Sequence, residues 1–129
     1  MEQYRETVHT EVVNGITYTV DLTSEWERMK NHFPEQEDAE MIARLEERCD
    51  DGDMWAWCDI TVTASCEGFK ASDNLGCCSF DNKAQFLADD YYKDMKAGAL
   101  YALRTNIEKV GKELAAAQVV LAANAHLPG

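Results

Sequence analysis

The stretch WAWCDITVTASC, Trp55 to Cys66, alternates with a period of two. Ala56, Cys58, Ile60, Val62, Ala64 and Cys66 fall on one side, and Trp55, Trp57, Asp59, Thr61, Thr63 and Ser65 on the other. Residues of a strand point alternately to opposite faces, so this pattern predicts a strand over 55–66. Its first face is small and apolar throughout and is expected to lie against a helix. Glu67-Gly68 then turns the chain, and Phe69–Leu75 is expected to return as the paired strand. Gly76 and the Cys77-Cys78-Ser79 run are expected to lead out of the sheet.

Upstream, residues 8–22 predict a second hairpin. Asn14-Gly15 supplies the two positive-φ positions of a type I′ turn. Ile16, Tyr18, Val20 and Leu22 alternate with Thr17, Thr19 and Asp21, the mark of a half-buried strand. Ser24 and Glu27 form a capping box before Trp26, Met29 and Phe33, which predicts a short helix ending at Pro34. A second helix is expected over residues 35–49, with a narrow apolar stripe of Ala39, Ile42, Leu45 and Cys49. Asp50-Asp51-Gly52-Asp53 closes it.

Downstream, Ser79 or Asp81 is a candidate cap for a long last helix. An irregular opening with Phe86, Leu87, Tyr91 and Tyr92 suggests a separate first turn or two. From Leu100 the apolar positions run Leu100, Leu103, Ile107, Val110, Leu114, Ala117, Leu121, a heptad repeat. Such a stripe either covers the sheet along its whole length or outruns it and pairs with a second copy; Gly98 and Gly111 permit close packing. The fold class expected is α+β: ββααββα, with an antiparallel sheet of about four strands against the long C-terminal helix, in one domain spanning 1–129.

Charge narrows the function. The 129 residues hold 24 acids against 12 Lys and Arg, a net charge of −12. Residues 35–53 alone carry nine acids and two bases, whereas residues 95–129 carry two acids and four bases. A body this acidic repels nucleic acid and anionic membranes and attracts basic surfaces, so neither a nucleic-acid ligand nor a membrane is expected. No apolar run approaches the ~20 residues of a bilayer span, and no signal-peptide pattern opens the chain. Five cysteines, an odd number, then read as reduced thiols in a cytosol.

Catalytic and metal motifs are missing. No C-x-x-C pair brings Cys58, Cys66, Cys77 or Cys78 to zinc-ligand spacing, so a small hydrophobe's role is expected for Cys58 and Cys66. The acids around Gly52 place the glycine too early for a calcium loop. His9, His32 and His126 have no catalytic context. No metal or other cofactor is expected, and an enzyme that modifies a host protein has only the thiols in its favour.

The acidic helix and the aromatics after it remain. Glu37, Glu40 and Glu47 share one side of that helix with Arg44 among them. Glu46, Asp50, Asp51 and Asp53 add charge, and together these carboxylates can imitate the phosphates a basic groove is built to hold. Trp55, Trp57 and Tyr92 are the candidate apolar anchors, with Trp55 the one expected to reach a partner. The competing reading puts Trp55 and Trp57 on a second buried sheet face.

The segment WAWCDITVTASCEGFKASDNLGCCSFDNKAQFLADDYYKDM, Trp55 to Met95, resembles a family of small bacteriophage and prophage proteins, mostly uncharacterised. The Trp-x-Trp-Cys start, the Asn-Leu-Gly-Cys-Cys-Ser run and the Asp-Tyr-Tyr-x-Asp-Met segment carry the resemblance. It implies a phage origin and the host bacterial cytosol, and it transfers no catalytic residue. Small acidic phage proteins include inhibitors of host defence, among them anti-CRISPR and anti-restriction proteins. The expected function is therefore an anti-CRISPR-like DNA mimic that occupies a basic surface of a nuclease or CRISPR–Cas subunit. The alternative is a phage assembly protein or a dimeric adaptor that pairs through residues 100–121.

Overall fold

A computed structural model describes residues 4–24 and 39–124 of the chain. Two antiparallel hairpins make one sheet in the order β1 (Arg5–Val13), β2 (Ile16–Ser24), β3 (Cys58–Cys66), β4 (Phe69–Cys78). Between the hairpins lie helix α1 (Ala39–Asp50) and a single 3-10 turn, Met54–Ala56. After β4 come a short helix α2 (Lys83–Ala88) and the 34-residue helix α3 (Asp90–Ala123). The α+β architecture expected from sequence is the one observed. The short helix expected between Ser24 and Pro34, the start of the second helix, and Glu37, His32 and His126 lie outside the described residues.

Both hairpins turn on two residues of positive φ, Asn14 (51°) with Gly15 (81°) and Glu67 (49°) with Gly68 (84°). These are the I′ geometries whose twist matches the flanking strands. β2 and β3 pair in the centre of the sheet, with Val20 opposite Val62 and Leu22 opposite Ile60. All four side chains are fully buried. The opposite face is polar: Thr10, Thr19, Thr63 and Ser72 stand in one row across the four strands, and the Thr63 and Ser72 hydroxyls lie 2.8 Å apart.

Helix α3 covers the apolar face and packs on β3 and β4. Tyr92, Met95, Ala99 and Leu103 are its buried residues, spaced so that they share one side of the helix. At its start, Lys96 and the Tyr92 hydroxyl both reach the Glu11 carboxylate of β1, Lys96 at 2.9 Å. Further on, Gly98 passes directly over Asp73 of β4. The helix thus crosses the sheet from one edge strand to the other. Beyond Leu103 no described residue covers it: every residue from Arg104 to Asn124 is exposed. At 1.5 Å per residue that is a projection of roughly 31 Å.

Three local expectations are corrected. The strand expected over 55–66 begins at Cys58, because the Asp53 carboxylate accepts the Trp55 N–H at 3.0 Å and winds Met54–Ala56 into the 3-10 turn. β4 runs to Cys78 instead of ending at Leu75, since a bulge absorbs Gly76 and Cys77 opposite Asp59. Cys77 adopts φ 50°, and its N–H is held by the Asp59 carboxylate at 2.8 Å. Neither Ser79 nor Asp81 caps a helix: Asn82 caps α2, accepting the Gln85 N–H at 2.9 Å, and Asp89 caps the long α3, accepting the Tyr91 N–H at 2.9 Å.

Candidate functional site

The carboxylates singled out in the sequence divide into two groups. Glu40, Glu47, Asp50 and Asp51 are exposed on α1 and the turn after it, and Glu46 is half-buried. At 100° per residue Glu40 and Glu47 lie on one side of α1, with the exposed Arg44 beside them and Asp50 roughly 60° from Glu47, whereas Glu46 points about 100° or more away. The charge is therefore spread along and around α1, interrupted by Arg44, and is not a single ladder.

Asp53 is different. One of its oxygens caps the 3-10 turn and the other pairs with Arg48 at 2.9 Å. The same guanidinium donates to the carbonyl oxygens of Phe80 at 2.6 Å and Asp81 at 3.3 Å. Arg48 thus fastens α1 to the loop that follows β4, with the planar fork that suits several acceptors at once. The Asp53 carboxylate is engaged inside the chain and is not presented to a partner. Nothing in the sequence pattern marked Arg48, because its acceptors are main-chain atoms 32 and 33 residues away.

Trp55 is half-buried and belongs to an aromatic cluster. Its ring lies 5.7 Å from Phe86 and 6.4 Å from Phe80, and Phe80 meets Phe86 at 5.1 Å edge to face. Tyr92 continues the cluster, 5.4 Å from Phe86. The Trp55 carbonyl also accepts the Phe80 N–H at 2.9 Å. Trp55 is consequently part of the core margin, and Trp57 is buried. A groove of about 610 Å³ runs beside them, lined among others by Tyr4, Glu6, Cys49, Met54 and Trp57. Burial pushes the Cys49 thiol up from its ordinary value, so it is a poor nucleophile there.

The second surface is the projecting part of α3. Ile107, Val110, Leu114 and Leu121 are exposed at 37%, 39%, 58% and 69%. They continue the side of the helix that Leu103 buries against the sheet. The heptad stripe therefore extends past the sheet, as one of the two sequence readings has it. Among the described residues Gly111 has no neighbouring atom within reach of a side chain, so it makes no close approach to them.

Among the described residues no three His, Cys, Asp or Glu side chains are placed to share a metal ion. No described helix is long and apolar enough to cross a membrane. No protein-family model, curated protein or solved structure matches this chain.

Proposed function

We propose that this chain is a non-catalytic binding protein that dimerises through the projecting part of α3 and presents its acidic body to a basic partner. The observation that carries this reading is the uncovered heptad stripe from Ile107 to Leu121. A stripe of Ile, Val and Leu on a solvated helix is stabilised by burial against an equivalent stripe. The charge distribution supports a second copy as the occupant. Residues 104–124 hold Arg104, Lys109 and Lys112 against Glu108 and Glu113, while the rest of the chain is strongly acidic. An antiparallel pair holds the two acidic bodies roughly 30 Å apart, several times the ~8 Å screening length of physiological salt. Two heptads make a short seam, so affinity on the order of micromolar or weaker is expected.

Sedimentation of the parent chain beside an Ile107→Glu variant tests the reading. The parent is expected at twice the 14.5 kDa monomer mass at tens of micromolar, and the variant as a monomer. Monomers for both would rule the dimer out.

A second reading rests on the exposed Glu40, Glu47, Asp50 and Asp51, with Glu46 beside them. They support binding to a basic nucleic-acid groove of a host defence complex, a nuclease or CRISPR–Cas subunit, as a DNA mimic in the bacterial cytoplasm. The resemblance of Trp55–Met95 to small phage proteins supports that choice of partner. Such binding weakens steeply with salt. Reversal of Glu47, Asp50 and Asp51 to Lys is expected to abolish inhibition and leave the fold intact; undiminished inhibition contradicts the reading.

A further inference from the structure

Cys58 and Cys78 are directly opposed across β3 and β4, on the face of the sheet that the helix covers. Their sulfurs lie 4.0 Å apart. Facing Cα atoms of an antiparallel pair stand ~4.5–5.5 Å apart, within the ~4.4–6.8 Å span a disulfide accepts. The two thiols are not equivalent. Cys58 is fully buried, whereas Cys78 is half-buried at the end of its strand, next to the exposed Ser79. The Cys78 sulfur also lies 3.2 Å from the Cys58 carbonyl oxygen, which fixes its side chain toward Cys58.

We propose that Cys58 and Cys78 form a reactive thiol pair that closes to an intramolecular disulfide on exposure to hydrogen peroxide. Cys78 is the attacking group. Its thiolate takes one peroxide oxygen: an S–O bond forms, the O–O bond breaks, and the second oxygen leaves as water after accepting a proton. Cys58 then gives up its proton and attacks the resulting sulfenic sulfur. The S–S bond forms, the S–O bond breaks, and a second water departs. Two thiols and one peroxide thus give one disulfide and two waters. The electrostatics agree with this division of roles. A hydrogen bond from the Cys58 thiol lowers the Cys78 pKa below the ordinary thiol value, and the same bond, with burial, pushes Cys58 up. Attack on an oxidant uses the thiolate, and the partner that reaches only the sulfenic sulfur can stay protonated until needed.

The site is separate from both surfaces described above. The bond would staple the end of the β3–β4 ladder beside the Trp55–Phe80 main-chain contact, so oxidation fixes the strand ends from which α1 and α2 depart.

Peptide mapping after brief treatment with hydrogen peroxide, without reductant, tests this in the full chain. Two of the five thiols are expected to disappear together, with a loss of two hydrogens in mass. The tryptic peptides Cys49–Lys70 and Ala71–Lys83 should be joined, and fragmentation of the joined pair should place the link at Cys58 and Cys78. A dithiol reductant should restore all five thiols. Cys77→Ser is expected to form the bond as the parent does, and Cys58→Ala to accumulate a Cys78 sulfenic acid that dimedone traps. Five surviving thiols, a Cys77–Cys78 link, a chain-to-chain link or a link through Cys49 or Cys66 would overturn the assignment. The parent's map decides the matter even where Cys58→Ala does not fold.

Discussion

Gly98 of α3 lies over Asp73 of β4 so closely that a side chain at position 98 would begin 2.7 Å from the Asp73 carboxylate oxygen. The relationship sets how near the helix can lie to the edge strand. Two effects oppose each other on substitution. Alanine gains ~1 kcal/mol over glycine in a helix interior, and Asp73, half-buried, can swing only part of the way aside. Gly98→Ala is therefore expected to change stability by less than ~1 kcal/mol, while Gly98→Leu lifts the helix and costs ~2–3 kcal/mol. Chemical denaturation of the two variants checks the order.

Arg48→Ala is expected to be more damaging than any change to the exposed acids. It removes an ion pair and a hydrogen bond to the Phe80 carbonyl, both partly shielded, and an exposed hydrogen bond to the Asp81 carbonyl. Loss of ~1–3 kcal/mol is expected, with Arg48→Lys recovering only part because an ammonium cannot span the same acceptors. Asp53→Asn should weaken the same junction, whereas Asp51→Asn should leave the denaturation midpoint unchanged.

The Glu11–Tyr92–Lys96 cluster makes stability fall at both ends of the pH scale. Hydrogen bonds from Tyr92 and then Lys96 hold the Glu11 carboxyl below its ordinary value of 4.5. Its stabilisation is present above that unfolded-state value and is lost as pH falls through the lower folded one. Burial, and then the bond to Glu11, raise the Tyr92 phenol. That contribution is present below the ordinary value of 10 and is lost as pH climbs through the raised one. Glu11→Gln should flatten the acid limb of a plot of stability against pH, and Tyr92→Phe the alkaline limb.

Glu67 occupies a left-handed position, φ 49°, in the second hairpin turn. A non-glycine residue without a short polar side chain is strained there by ~1 kcal/mol. Glu67→Asn reproduces the Asn-Gly pair of the first hairpin and is expected to stabilise the fold by ~0.5–1 kcal/mol, read as a higher thermal midpoint.

Much of this architecture was legible in the sequence because it rests on local periodicity. The alternation from Cys58 to Ala64 gave the central strand and its buried face, Asn14-Gly15 gave the first turn, and the heptad from Leu100 to Leu121 gave the long last helix but left open whether it outruns the sheet. Failures occurred where a capping side chain or a distant atom overrides the alternation. Trp55 continues the alternation of β3, yet the Asp53 cap and the Phe80 N–H draw it into a 3-10 turn. The Gly76-Cys77-Cys78 run reads as an exit from the sheet, yet the Asp59 carboxylate holds the bulge and keeps Cys78 paired. Of the proposed acidic surface, the exposed carboxylates follow from composition and helical phase. The internal use of Asp53 required knowing where Phe80 lies.

The irregularities in the two outer strands have a consequence for how copies of the chain can associate. The β1–β2 register slips between Thr7 and His9, and the β3–β4 register slips between Cys58 and Ile60. An outer strand interrupted in this way, with charged residues such as Glu6, Glu11, Lys70 and Asp73 along it, is a poor template for another strand. Growth by end-to-end sheet extension, which has no natural stopping point, is thereby disfavoured. A helix that pairs with its own equivalent consumes its sticky surface in a single event. The fold leaves open the route of self-association that terminates at a fixed number of copies, and obstructs the one that would run on into a fibre.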